Sequence, residues 1–97
     1  MRNIIPTNRR LELVSETLVG SYRFSEDGTV SATLGEKDGA VFAPILEYRV
    51  TSDNSIELLL NAEPFDVWTE IQMTGDTLHL NARGRALAFQ VLGPASQ

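Results

Sequence analysis

VWTEIQMTGDTLHLNARGRALAFQV, residues 67–91, carries two turn signals, Gly75-Asp76 and Arg83-Gly84, set between runs of alternating apolar and polar residues. A two-residue loop at Gly75-Asp76 places Met73 across from Leu78 and Ile71 across from Leu80. Glycine in first place suits a type II′ hairpin. A second two-residue loop at Arg83-Gly84 sets Leu80 across from Leu87 and Leu78 across from Phe89. Three consecutive strands then agree on one apolar face: Val67, Ile71, Met73, Leu78, Leu80, Leu87, Phe89 and Val91. The agreement is informative, because a slip of one residue would turn the whole apolar set outward.

The same rhythm runs upstream. In SYRFSEDGTVSATL (21–34), a three-residue loop Glu26-Asp27-Gly28 sets Phe24 opposite Val30 and Tyr22 opposite Ala32. Such loops end on a left-handed residue, which glycine adopts without strain. In LEYRVTSDNSIELLL (46–60), a Ser52-Asp53-Asn54 loop pairs Val50 with Ile56, Tyr48 with Leu58 and Leu46 with Leu60, with Asn54 in the left-handed place. Further turns fall at GEKDG (35–39) and NAEPFD (61–66). AVFAP (40–44) reads as a short strand that Pro44 confines to an edge or a bulge. RRLELV (9–14) alternates like a strand and could also be a short helix capped at Thr7 or Asn8; extended structure followed by a helical turn at Ser15–Leu18 is preferred. The expected fold is all-β: an up-and-down antiparallel meander of seven or eight strands curled into a small barrel. Residues 1–97 form one domain, with 1–17 an N-terminal arm to which the sequence assigns no single structure.

Composition narrows the function classes. A 42% hydrophobic and 22% charged chain is apolar enough to pack and too apolar to be disordered. Its net charge of −5 disfavours nucleic acid and anionic membrane as partners. The basic residues are seven Arg and one Lys; neither Arg2/Arg9/Arg10 nor Arg83/Arg85 is long enough to be a nucleic-acid arm. Cysteine is absent, which excludes disulfides, thiol nucleophiles and Cys-based zinc sites and suits a cytoplasmic setting. MRNIIPTNRRLELV has neither the apolar run nor the cleavage pattern of a signal peptide, and no stretch reaches the ~18 apolar residues of a membrane span. The acidic turns SEDGT and EKDG lack the ligand spacing of a calcium loop. No phosphate-binding glycine loop, HExxH, GxSxG or CxxC occurs, so no cofactor or metal is expected.

LVGSYRFSEDGTV (18–30) resembles the opening of small lipocalin-like barrels, which begin with a Gly-x-Trp element after a short helical turn; here Gly20 and Tyr22 stand in those places. YRVTSDNSIEL and IQMTGDTLHL are similar to the strand–turn–strand units of that family. The resemblance implies a barrel that binds something or serves as a structural module.

Three sets of residues are candidate sites. Strict alternation points Trp68, Glu70 and His79 outward, with Trp68 opposite Arg83 as a cation–π pair and His79 diagonal to Glu70. A carboxylate beside an imidazole could act as a general acid–base pair, although an open sheet face excludes no water. The inward set carries Tyr22, Tyr48 and Thr69 as its polar groups, which could line a cavity for a small apolar ligand. Ile45, Leu59, Trp68, His79 and Arg83 could form an outer face for a protein partner or a second copy. The sequence therefore predicts a non-enzymatic binding domain that engages a partner or itself through that face. A carrier of a small apolar ligand and a small enzyme using His79 and Glu70 are the alternatives.

Overall fold

A computed structural model describes residues 5–94; residues 1–4, Arg2 among them, and 95–97 lie outside it. Nine strands are formed: β1 (Arg9–Leu13), β2 (Leu18–Phe24), β3 (Thr29–Glu36), β4 (Val41–Phe42), β5 (Ile45–Ser52), β6 (Ser55–Leu60), β7 (Glu63–Thr74), β8 (Thr77–Ala82) and β9 (Arg85–Pro94). Their order is β2-β1-β9-β8-β7-β6-β5-β3, and β3 returns to pair with β2, so eight antiparallel strands close a barrel. β4 lies outside that ring and pairs only with β3. It continues the line of β5 beyond a break at Ala43-Pro44.

The expected hairpins form where turn chemistry and alternation coincide. Tyr22 pairs with Ala32 and Phe24 with Val30 around the three-residue loop, which ends on Gly28 at φ 93°. Leu80 pairs with Leu87 and Leu78 with Phe89 around Arg83-Gly84. Met73 pairs with Leu78 around Gly75-Asp76.

Other local expectations need correction. The β5–β6 hairpin keeps Val50 with Ile56 and Tyr48 with Leu58, but Ser52 pairs with Ser55 and Thr51 bulges, so the loop is Asp53-Asn54 and Asn54 is not left-handed. NAEPFD is not a long loop: Asn61 (φ 54°) and Ala62 (φ 70°) make a two-residue turn, and β7 starts at Glu63. Ser15–Leu18 is a bend, not a helical turn; the Ser15 hydroxyl accepts hydrogen bonds from the amides of Thr17 (3.3 Å) and Leu18 (3.1 Å). That side chain supplies the turn a helix would otherwise have made.

The main correction concerns β7. Thr69 pairs with Asn81, but Gln72 pairs with His79, so Glu70 and Ile71 together face the single Leu80. Glu70 takes φ 55°, and the amide of Ile71 donates to the carbonyl of Asn54 (3.0 Å) rather than joining the ladder to β8. This bulge reverses the facing of everything before it. Trp68 therefore lies across from Ala82, not Arg83, and is fully buried. Val67 points outward and is 41% exposed, while Thr69, expected inside, faces out and is half-buried. Met73 shares the inward side with Leu78 but sits next to the turn, past the end of the packed interior, and stays exposed.

The interior is filled by side chains, as small barrels commonly are. Trp68 stands at its centre against Tyr22 (ring centroids 4.9 Å, edge-on), Phe89 (5.2 Å, stacked) and Phe24 (5.7 Å). Ile56, Leu58, Leu78, Leu46, Val30 and Leu11 complete the core. One end is sealed: Thr7 bridges to Phe24, Ile5 is buried, and the Tyr48 hydroxyl donates to the carbonyl of Ser25 (3.3 Å).

Candidate binding cavity at the open end of the barrel

At the other end the wall ends on the last residues of β1, β3 and β8 and the first of β2, β7 and β9. There a cavity of about 540 Å³ opens, within the size range of small-molecule sites. Its apolar lining comes from Leu13, Leu18, Leu34, Pro64, Phe65, Ala82 and Leu87. The polar lining is Tyr22, Asp66, Arg83 and Arg85. Each is delivered by strand or turn geometry. Tyr22 alternates inward on β2. Asp66 follows the bulge at which Leu58 pairs with Asp66 and Leu59 already with Pro64. Arg83 and Arg85 bracket the tight β8–β9 turn, Arg83 in the left-handed region at φ 54°.

The Arg83 guanidinium ties the β8–β9 turn to the start of the neighbouring β7. Its Nε lies 3.2 Å from Asp66 Oδ1, and its Nη2 donates to the carbonyl of Phe65. Asp66 Oδ1 also accepts from the amide of Val67 (2.9 Å). Arg85 forms no ion pair among the described residues. Burial, and secondarily the nearby Asp66 carboxylate, pushes the Tyr22 hydroxyl well above its ordinary pKa, so it stays a neutral donor and acceptor.

The sequence-predicted site residues separate. Tyr22 lines the cavity, but Tyr48 is at the sealed end with its hydroxyl engaged by Ser25, so the two tyrosines do not share a pocket. Thr69 faces outward and donates to the carbonyl of Asn81 (3.3 Å). Trp68 leaves the proposed partner surface altogether. Ile45 on β5 is 64% exposed and Leu59 on β6 half-buried, whereas His79 on β8 is two strands away, between Gln72 and Ala88. Arg83 belongs to the rim. These five do not form one face. His79 and Glu70 are both exposed, neither lines the cavity, and no hydrogen bond or ion pair joins them among the described residues. Asp66 and Arg85 complete the rim and are not among the sequence-predicted site residues; the two arginines of the ARGR turn are the one local signal.

Compared with protein-family models, curated proteins and solved structures, the chain matches none.

Proposed function

We propose that this protein is a non-enzymatic binding barrel, in the manner of a lipocalin-like carrier, whose site is the open-end cavity. The ligand is small and mostly apolar, with an anionic or acceptor group at one end. The observation that carries this reading is the pairing of an apolar lining with Arg85, a cation that forms no ion pair among the described residues. Apolar walls supply affinity and a few placed polar groups supply orientation. The interior below Tyr22 is occupied by Trp68 and Phe89, so the ligand lies in the rim and not through the barrel.

Titration with the lipophilic anion 8-anilinonaphthalene-1-sulfonate tests this. One dye per chain is expected at micromolar protein. Leu18→Trp, which fills the cavity, should abolish the signal without lowering the melting temperature. Arg85→Gln should weaken it. Absence of dye binding, or binding unchanged by Leu18→Trp, would reject the reading.

A second reading rests on Val41, Phe42 and Ile45, 53%, 55% and 64% exposed along the β4–β5 line. These large apolar residues support self-association or a protein partner on that side. A dimer by light scattering that Phe42→Ser dissociates is its expected signature; a monomer at all concentrations would remove the self-association form.

A further inference from the structure

On the outer wall, outside the rim cavity, β1, β2 and β3 lay two arginines side by side. Arg10 is the direct cross-strand partner of Arg23, and Arg23 is in turn the partner of Ser31. The neighbouring row is Glu12, Ser21 and Thr33. Leu11, Tyr22 and Ala32 are buried between them, so alternation sends all six outward. Arg10, Arg23 and the three hydroxyl residues line an open groove of about 380 Å³, with Leu92 on one flank.

Like charges placed directly across an antiparallel pair disfavour the fold. The chain has 13 acidic residues with which to relieve them and uses one here: Glu12 Oε2 lies 3.2 Å from Arg10 Nη2. Arg10 Nε donates to Ser21 Oγ (3.2 Å), which fixes that guanidinium over the groove. Arg23 has no ion-pair partner among the described residues. Two arginines on directly opposed positions, whose Cα atoms such pairing holds about 5 Å apart, with hydroxyl donors around them, match the charge and the acceptor oxygens of a doubly charged oxyanion.

The geometry points to a second site, independent of the rim cavity, that holds the phosphate of a small soluble phosphomonoester between Arg10 and Arg23. A small dianion at contact responds chiefly to the nearest charges, since fields are screened beyond about 8 Å in physiological salt. An extended anionic surface meets the whole chain and its net charge of −5, which favours a soluble ligand over a lipid headgroup.

Thermal melts and calorimetric titration with inorganic phosphate, against chloride at matched ionic strength and pH 7.5, test this. Phosphate should raise the melting temperature saturably with one ion per chain. Arg23→Gln should weaken binding at least tenfold, yet melt no lower than the parent in phosphate-free chloride, because it removes the opposed charge. Arg85→Gln should bind phosphate as the parent does. Equal melting in phosphate and chloride, unchanged binding by Arg23→Gln, or loss of binding in Arg85→Gln would each overturn the assignment.

Discussion

Trp68 stands across from Ala82, one position short of the strictly alternating register, and Glu70 takes up the difference. That single offset moves the largest side chain in the molecule from the outer face to the middle of the core. Its indole Nε1 is the sole buried side-chain nitrogen or oxygen without a hydrogen-bond partner among the described residues.

Because Trp68 is packed against three rings, truncating it removes more than area. Trp68→Ala should cost about 3–5 kcal/mol, as large-to-small changes of buried aromatics do. Denaturant unfolding followed by circular dichroism measures this. A loss below about 1 kcal/mol would place the indole at the surface. The parent's indole emission should shift to longer wavelength on unfolding.

Among the described residues five non-glycine positions take positive φ: Asn8, Asn61, Ala62, Glu70 and Arg83. Ala62 and Glu70, at φ 70° and 55°, have no hydrogen bond of their own side chains to offset the steric cost. Ala62→Gly and Glu70→Gly should each stabilise by about 1 kcal/mol, while Glu70→Val should destabilise by at least as much. Melting temperatures that rank valine above glycine at position 70 would mean the bulge is not there.

Tyr22 makes the fold lose stability at alkaline pH. Its folded-state pKa is raised, first by burial and then by Asp66, above an unfolded value near 10. Between the two values the unfolded chain has released a proton that the folded one retains. The stabilisation is therefore complete below about pH 10 and declines as pH rises above it. Tyr22→Phe should flatten that decline in melts from pH 9 upward. Asp66→Asn should change it less, because burial is the larger cause.

At the acid side the exposed Asp27 acts in the opposite sense. Its pKa is lowered by the Thr29 hydroxyl (2.7 Å) and then by the Thr29 amide (3.0 Å), which hold the β2–β3 loop. That support is present above the ordinary carboxylate range and fades as pH falls through the lowered value. Chemical-shift titration of the Asp27 carboxyl should show a midpoint below the ordinary aspartate value, and Thr29→Val should raise it.

The barrel was legible wherever turn residues and alternation agreed. SEDGT, TGDT and ARGR each placed a hairpin because glycine marked the turn and alternation of the flanking residues chose the loop length. β7 was not legible by alternation alone, since Val67 and Trp68 are both apolar and either parity supplies a core residue. The trace was nevertheless present: Thr69 and Glu70 are consecutive polar residues between Trp68 and Ile71, the spacing an extra residue leaves in a half-buried strand. The rim was harder. Asp66 meets Arg83 because the β7 bulge sets Trp68 across from Ala82, which brings the start of the β8–β9 turn beside the residues just before Trp68. Tyr22 was placed inward correctly, but its separation from Tyr48 follows from which end of the tube each strand position reaches.

Closing the sheet also bears on how copies of this chain treat one another. Fibrils grow when an incoming segment adds its backbone to a free row of amides and carbonyls. Around the ring every strand is flanked on both sides, and the row left open on the two-residue β4 is cut short by Pro44, which has no amide to give. While folded, the molecule offers templated growth almost no foothold.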